Sequence, residues 1–172
     1  MENKINRITD ILRRDDGISG AMMYTEQISW ILFLKYLNDY EEAKHDEALL
    51  DGKEYTYILD EKYRWNSWAC PQRDGKLDKI NAKSGDDLLL FVNGSRDSED
   101  LGLFDYLRSF KSINEDFKSV RYKIGAIFEF LDNRIANGHT LREVLDLIDE
   151  MNRAEKEHGP FHSLAEAWGV ID

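Results

Sequence analysis

Apolar residues recur at helical spacing along most of the chain. Ile5, Ile8, Ile11 and Leu12 give an amphipathic helix over residues 3–14. Asp15-Asp16-Gly17 ends it, and the stretch to Gly20 reads as a loop. Thr25 is placed to cap a second helix running to about Leu50. From Ile28 to Leu37, eight of ten positions are apolar or aromatic, so this helix should be covered on most sides and form the centre of a bundle.

The period is lost over residues 52–83. Tyr55, Tyr57, Tyr63, Trp65 and Trp68 crowd this segment, and alternation through Tyr55, Tyr57 and Leu59 is a weak strand signal, one arm of a short β-hairpin. Residues 71–84 read as a polar loop. Ser84 with Asp87 forms a capping pattern ahead of Leu88–Val92, and Asn93-Gly94-Ser95 is a turn.

A short helix fits Ser98–Phe110. The clearest stripe follows, in Val120, Ile124, Ile127, Phe128, Leu131 and Ile135, with Asn137-Gly138 as its stop. Thr140 with Glu143 suggests another cap, and Leu141, Val144, Leu145, Ile148 and Met151 stripe the next helix. Residues 153–162 are polar, and Ser163 with Glu166 marks a last short helix.

The pattern therefore predicts an all-α helical bundle with a small irregular aromatic insertion. Its main elements are Thr25–Glu47, Val120–Asn133 and Leu141–Met151, with Ile31, Leu34, Ile127, Phe128, Leu131, Leu145 and Ile148 buried. Residues 1–152 form the helical domain, and residues 153–172 a divergent C-terminal tail. A chain of 172 residues suits one domain of ordinary size.

Composition narrows the function. Lys and Arg number 23 against 34 Asp and Glu, a net charge of −11, and no fifty-residue block is basic. Tight binding of nucleic acid by the chain alone is therefore not expected, because that affinity comes from clustered cations. Cys70 is the single cysteine, which excludes an internal disulfide and fits a reducing cytoplasm. The polar N-terminus has no apolar core of a secretory signal. Ile28–Leu37, interrupted by Ser29 and Lys35, has about half the length of a membrane span, so no membrane association is expected.

Catalytic signatures are missing. The eleven glycines form neither a dinucleotide nor a phosphate loop, and there is no nucleophile elbow or zinc-protease helix. His158 and His162 stand among Glu155, Glu157 and Glu166, but Gly159-Pro160 breaks the helix that would align them, so a polar loop is the plainer reading than a metal site. The aromatic insertion, with Lys53, Lys62, Arg64 and Arg73 nearby, fits base stacking or a satellite core. Asp51, Glu54, Asp60 and Glu61 cancel its charge and favour the core. The most basic stretch is Lys111, Lys118, Arg121, Lys123 and Arg134. Lys118, Arg121, Lys123 and Arg134, with Tyr122 flanking them, are the candidates for DNA or partner contact, against a solvated outer face as the alternative.

Two segments carry a family resemblance: TEQISWILFLKYLNDYEE (Thr25–Glu42) followed by YILDEKYRWNSWA (Tyr57–Ala69), and SVRYKIGAIFEFLDNRIANGHTLREVLDLIDEMN (Ser119–Asn152). Together they resemble the N-terminal helical domain of the modification subunit, a DNA adenine methyltransferase, of type I restriction–modification systems. The resemblance implies a helical domain ahead of a Rossmann-like domain that transfers a methyl group from S-adenosylmethionine to adenine. It also implies assembly of two modification subunits with a specificity subunit and a restriction subunit, the helical domains helping to close around DNA.

The catalytic motif of that family needs adjacent prolines, whereas Pro71 and Pro160 lie far apart here, and the glycine motif for the methyl donor is missing too. The chain alone is thus expected to be a non-catalytic assembly and DNA-clamping domain that binds no cofactor. S-adenosylmethionine and site-specific adenine methylation are expected of the complete subunit. The alternative is a self-standing acidic interaction protein that regulates a restriction–modification complex.

Overall fold

The computed structural model describes residues 2–113 and 116–154. Seven α-helices account for most of them: α1 (Glu2–Arg13), α2 (Ala21–Leu50), α3 (Trp65–Trp68), α4 (Gly85–Asn93), α5 (Leu103–Ile113), α6 (Val120–Phe128) and α7 (Gly138–Ala154). The fold is mainly helical, as the apolar periodicity requires. No helix among the described residues is long and apolar enough to cross a membrane.

Helix α2 is the axis of the bundle. Its 30 residues span about 45 Å at helical rise, and Trp30, Ile31, Phe33 and Leu37 are fully buried on successive sides. Helices α1, α3 and α7 pack on it. Helix α7 brings Leu141, Val144, Leu145 and Ile148, all fully buried. Helices α5 and α6 form a tight hairpin, because a Cβ at Gly125 would stand 2.5 Å from the Lys111 backbone nitrogen, a space only glycine leaves open. Trp30 meets Phe104 edge-on at 4.9 Å, and Phe104 meets Phe128 at 5.4 Å, which ties this hairpin to α2.

The helix ends differ from expectation in instructive ways. Helix α2 starts at Ala21 behind Gly20, and Thr25 lies inside its first turns with its hydroxyl bonded to the Ala21 carbonyl at 3.2 Å. Ser84 precedes α4 without a side-chain cap bond. Helix α5 begins at Leu103, five residues later than its composition suggests. Asn137 does not stop a helix but starts one: its side-chain oxygen accepts from the His139 and Thr140 amides at 2.8 and 3.4 Å, so it, rather than Thr140, caps α7.

The largest correction concerns residues 129–137. The apolar stripe predicts helix through Asn133, yet α6 ends at Phe128, and a turn and an irregular strap follow. Side chains from three other elements take the hydrogen bonds that a helix would make internally. Arg108 donates to the carbonyls of Phe128, at 3.0 Å, and of Leu131. The Gln27 amide donates to the Asp132 carbonyl and accepts from the Arg134 amide, each at 3.0 Å. Asp15 accepts from the amides of Ala136 and Asn137 at 2.8 and 3.0 Å. Ile135 is buried from this strap, while Ile127 and Leu131 are only partly buried. Gly17 lets the α1–α2 loop close on the strap, since a Cβ there would collide with the Arg134 carbonyl.

The aromatic insertion is a satellite core. Tyr55–Leu59 runs without strand pairing, and the single hairpin among the described residues joins Gln72–Arg73 (β1) to Lys76–Leu77 (β2), within the segment expected to be loop. Trp65 and Trp68 are buried, and Tyr63 stacks on Tyr106 at 3.8 Å. The tail after Ala154, with His158, His162 and the helix expected from Ser163, lies outside the described residues.

Candidate functional site

The candidate contact residues cluster where α6 begins. Asp116 turns the chain, its carboxylate accepting from the Lys118 amide at 2.9 Å and its carbonyl from the Ser119 amide at 3.0 Å. Ser119 then caps α6 by accepting from the Tyr122 amide at 3.1 Å. Lys118 is exposed, and Tyr122 and Lys123 are half-buried. The Tyr122 ring meets Phe117 edge-on at 6.4 Å, and Phe117 is itself exposed.

Two of the sequence candidates are placed differently from this group. Arg121 points into the insertion, where its guanidinium donates to the carbonyls of Tyr57 at 2.8 Å and Ile58 at 3.1 Å and lies 6.0 Å from the Phe110 ring. It fastens the insertion to α6. Arg134 sits on the strap rather than on α6, 4.0 Å from the Asp132 carboxylate. Lys111, one helix away, pairs with Glu129 at 2.6 Å, and that bond raises its pKa. Lys118, Tyr122 and Lys123 thus lie at the start of α6 with some exposure, while Arg121 makes a scaffolding contact.

We expect Arg121→Ala to cost about 1–2 kcal/mol, toward the low end for charged hydrogen bonds because solvent reaches the side chain. Lys118→Ala should be neutral in the same thermal-denaturation measurement.

Buried charge collects elsewhere, around the middle of α2. Lys35 is 9% exposed and bridges Asp39 at 2.9 Å and Asp149 of α7 at 3.5 Å. Trp65 donates its indole N–H to Asp149 at 3.0 Å. Burial raises the Asp39 pKa despite the opposing pull of Lys35. Glu41, next along the helix, accepts from the Tyr55 hydroxyl at 3.0 Å and from the Ile58 amide, and desolvation raises its pKa too.

Cys70 is buried against α7, 3.3 Å from the Arg142 guanidinium, and desolvation pushes its thiol up to about 12. Such a thiol is a core side chain and not a nucleophile. Every buried side-chain nitrogen or oxygen among the described residues has a partner. Lys35, Asp149 and Trp65 thus join α2, α7 and α3. Among the described residues no three His, Cys, Asp or Glu side chains converge to hold a metal ion.

Comparison with known proteins decides the lineage. The family described as the HsdM N-terminal domain matches residues 1–89, half of the chain. The chain belongs to the HsdM N-terminal domain family. It is 29% identical over 149 residues to the methylase subunit of the type I restriction enzyme EcoEI of Escherichia coli, covering 86% of this chain and 26% of that protein. A crystal structure of a modification subunit of a putative type I restriction enzyme from Vibrio vulnificus matches 98% of this chain and 34% of its own, at 28% identity and TM-score 0.77. A second solved structure, from work on complex assembly and conformational transition of the type I restriction–modification system, matches 98% of this chain and 30% of its own, at 28% identity and TM-score 0.65. The chain thus spans about a quarter to a third of the relatives it matches.

Within the HsdM N-terminal domain, charge composition marked the basic start of α6, but no sequence signal marked the exposed apolar residues beside it. Ile113 and Phe117 lie outside the stripe that flags a core, and nothing in their spacing announces a surface role. Lys35 did leave a signal, a cation inside the most apolar run of the chain.

Proposed function

We propose that this HsdM N-terminal domain serves assembly and DNA clamping in a type I restriction–modification DNA methyltransferase subunit, without catalysis of its own. Its partners would be the specificity subunit, a second modification subunit and the restriction subunit, with DNA held through the assembly in the cytoplasm. The observation that supports this most is likeness to a modification subunit over 98% of the chain at TM-score 0.77.

Methyl transfer would belong to the complete subunit, which is adenine-specific and uses S-adenosylmethionine. The residues present here do not fit that cofactor. The sequence has no glycine turn on a parallel strand, and the sheet in the described residues is a two-strand antiparallel hairpin.

An acidic domain gains little from phosphate contact over its whole surface, so the DNA contact falls to Lys118 and Lys123 beside Tyr122. In the assembled enzyme, Lys118→Glu with Lys123→Glu should weaken DNA binding. The log–log salt slope should fall by about one unit for each phosphate that the domain no longer neutralises. Arg121 is left intact in this variant because it holds the insertion. Unchanged affinity and slope would leave the patch a solvated face and the domain an element of protein assembly only.

A further inference from the structure

We propose that the β1–β2 hairpin is a second DNA contact, separate from Lys118 and Lys123, in which Arg73, Lys76 and Lys79 neutralise backbone phosphates; this rests on the clamping role proposed above. The strands pair around Asp74-Gly75, whose φ of 55° and 76° give the turn that two-residue hairpins favour. The Asp78 amide donates to the Pro71 carbonyl at 2.8 Å and closes the base of the hairpin. Arg73 lies opposite Lys76, and Gln72 opposite Leu77. Side chains alternate between faces along a strand, so the two cations share one face. Leu77, on the other face, packs against the core. The basic face is thus the one that does not pack, and Arg73, Lys76 and Lys79 are all exposed.

Like charges directly opposite each other across a hairpin are destabilising, and nothing local offsets this pair. Among the described residues, none of Arg73, Lys76 and Lys79 forms an ion pair. Asp78 is occupied by its own loop, accepting from the Asn81 side-chain amide at 2.6 Å and from the amides of Ile80 and Asn81 at 3.1 and 3.3 Å. Across residues 72–83, four Lys and Arg stand against Asp74 and Asp78, a balance of +2 in a chain of −11. A repulsive pair left without a counter-charge suits an anion supplied from outside. Residues 72–76 are all exposed and none is apolar. The centre of a protein interface is desolvated and poor in lysine and aspartate, which this tip does not resemble. A row of phosphates asks only for cations within reach, and such contacts position a duplex without reading its bases.

The test is DNA binding by the assembled enzyme over a range of salt. Wild type is compared with Arg73→Gln/Lys76→Gln/Lys79→Gln, with the charge-keeping Arg73→Lys/Lys76→Arg, and with Lys118→Glu/Lys123→Glu. The neutral variant should bind about tenfold more weakly on specific and unrelated sequences alike, its log–log slope lower by about one unit for each phosphate lost. Its melting temperature should not fall, because a like-charge pair has been removed. The charge-keeping variant should match wild type, and a photo-crosslinker at Lys79 should join DNA. Wild-type affinity and slope in the neutral variant, with Lys118→Glu/Lys123→Glu weakened, overturns the hairpin contact and leaves clamping standing. No change in either variant removes clamping and the hairpin contact together. A loss shared by the charge-keeping variant, or crosslinks confined to protein, also overturns the inference.

Discussion

Lys35→Met is expected to destabilise the fold by about 3–5 kcal/mol, the cost of removing one partner from a buried ionic group. Lys35 is the cation between Asp39 and Asp149, and Asp149 is only 5% exposed on its side chain. Methionine fills the space of the lysine stem but leaves two carboxylates facing each other in a poorly solvated site. The pH dependence carries a definite sign. The Asp39 pKa is already raised by burial, and loss of the ammonium raises it further. Protonation then relieves the repulsion, so the penalty should be largest near neutral pH and shrink as pH falls through the acid range. Adding Asp149→Asn to Lys35→Met should recover part of the loss. Urea denaturation at pH 7 and near pH 4 measures both effects.

Asp15→Ala is expected to cost roughly 2–4 kcal/mol, since each buried donor left unpaired costs about 1–3 kcal/mol and some amides regain water. The Asp15 carboxylate accepts from the amides of Gly17, Ala136 and Asn137. It therefore fixes the loop after α1 and the end of the strap at once. Amide exchange at Ala136 and Asn137 should accelerate in this variant, while the centre of α2 remains protected. Asp15→Asn, which keeps one acceptor oxygen, should fall between alanine and wild type.

The strap also shows where sequence reading stops. Helices α1 and α7 were legible because their apolar positions keep one helical period, and α2 because its run Ile28–Leu37 is apolar on most sides and is buried. The same stripe continues through Leu131 and Ile135, yet the chain leaves the helix at Phe128. The cause lies more than a hundred residues away for Gln27 and Asp15 and about twenty for Arg108, at a range that periodicity does not sense. Thr25 misled for a similar reason: a hydroxyl can cap a helix, but it can equally bond back to the carbonyl four residues earlier.

The basic start of α6 was legible from composition. That Arg121 spends its charge on the Tyr57 and Ile58 carbonyls was not, because those acceptors are backbone atoms of an aperiodic segment. The family was legible in the long segments Thr25–Glu42 and Ser119–Asn152, whose order and content no single short motif carries.

Hydrogen exchange across Ser119–Ile124, in the assembled enzyme with and without DNA, tests the clamping role most directly. These amides surround Lys118, Tyr122 and Lys123 at the capped start of α6. DNA is expected to slow exchange there, and Lys118→Glu with Lys123→Glu is expected to abolish that protection without lowering the melting temperature. Exchange over Ser119–Ile124 that DNA leaves unchanged, while it protects the other subunits, would contradict DNA clamping by this domain.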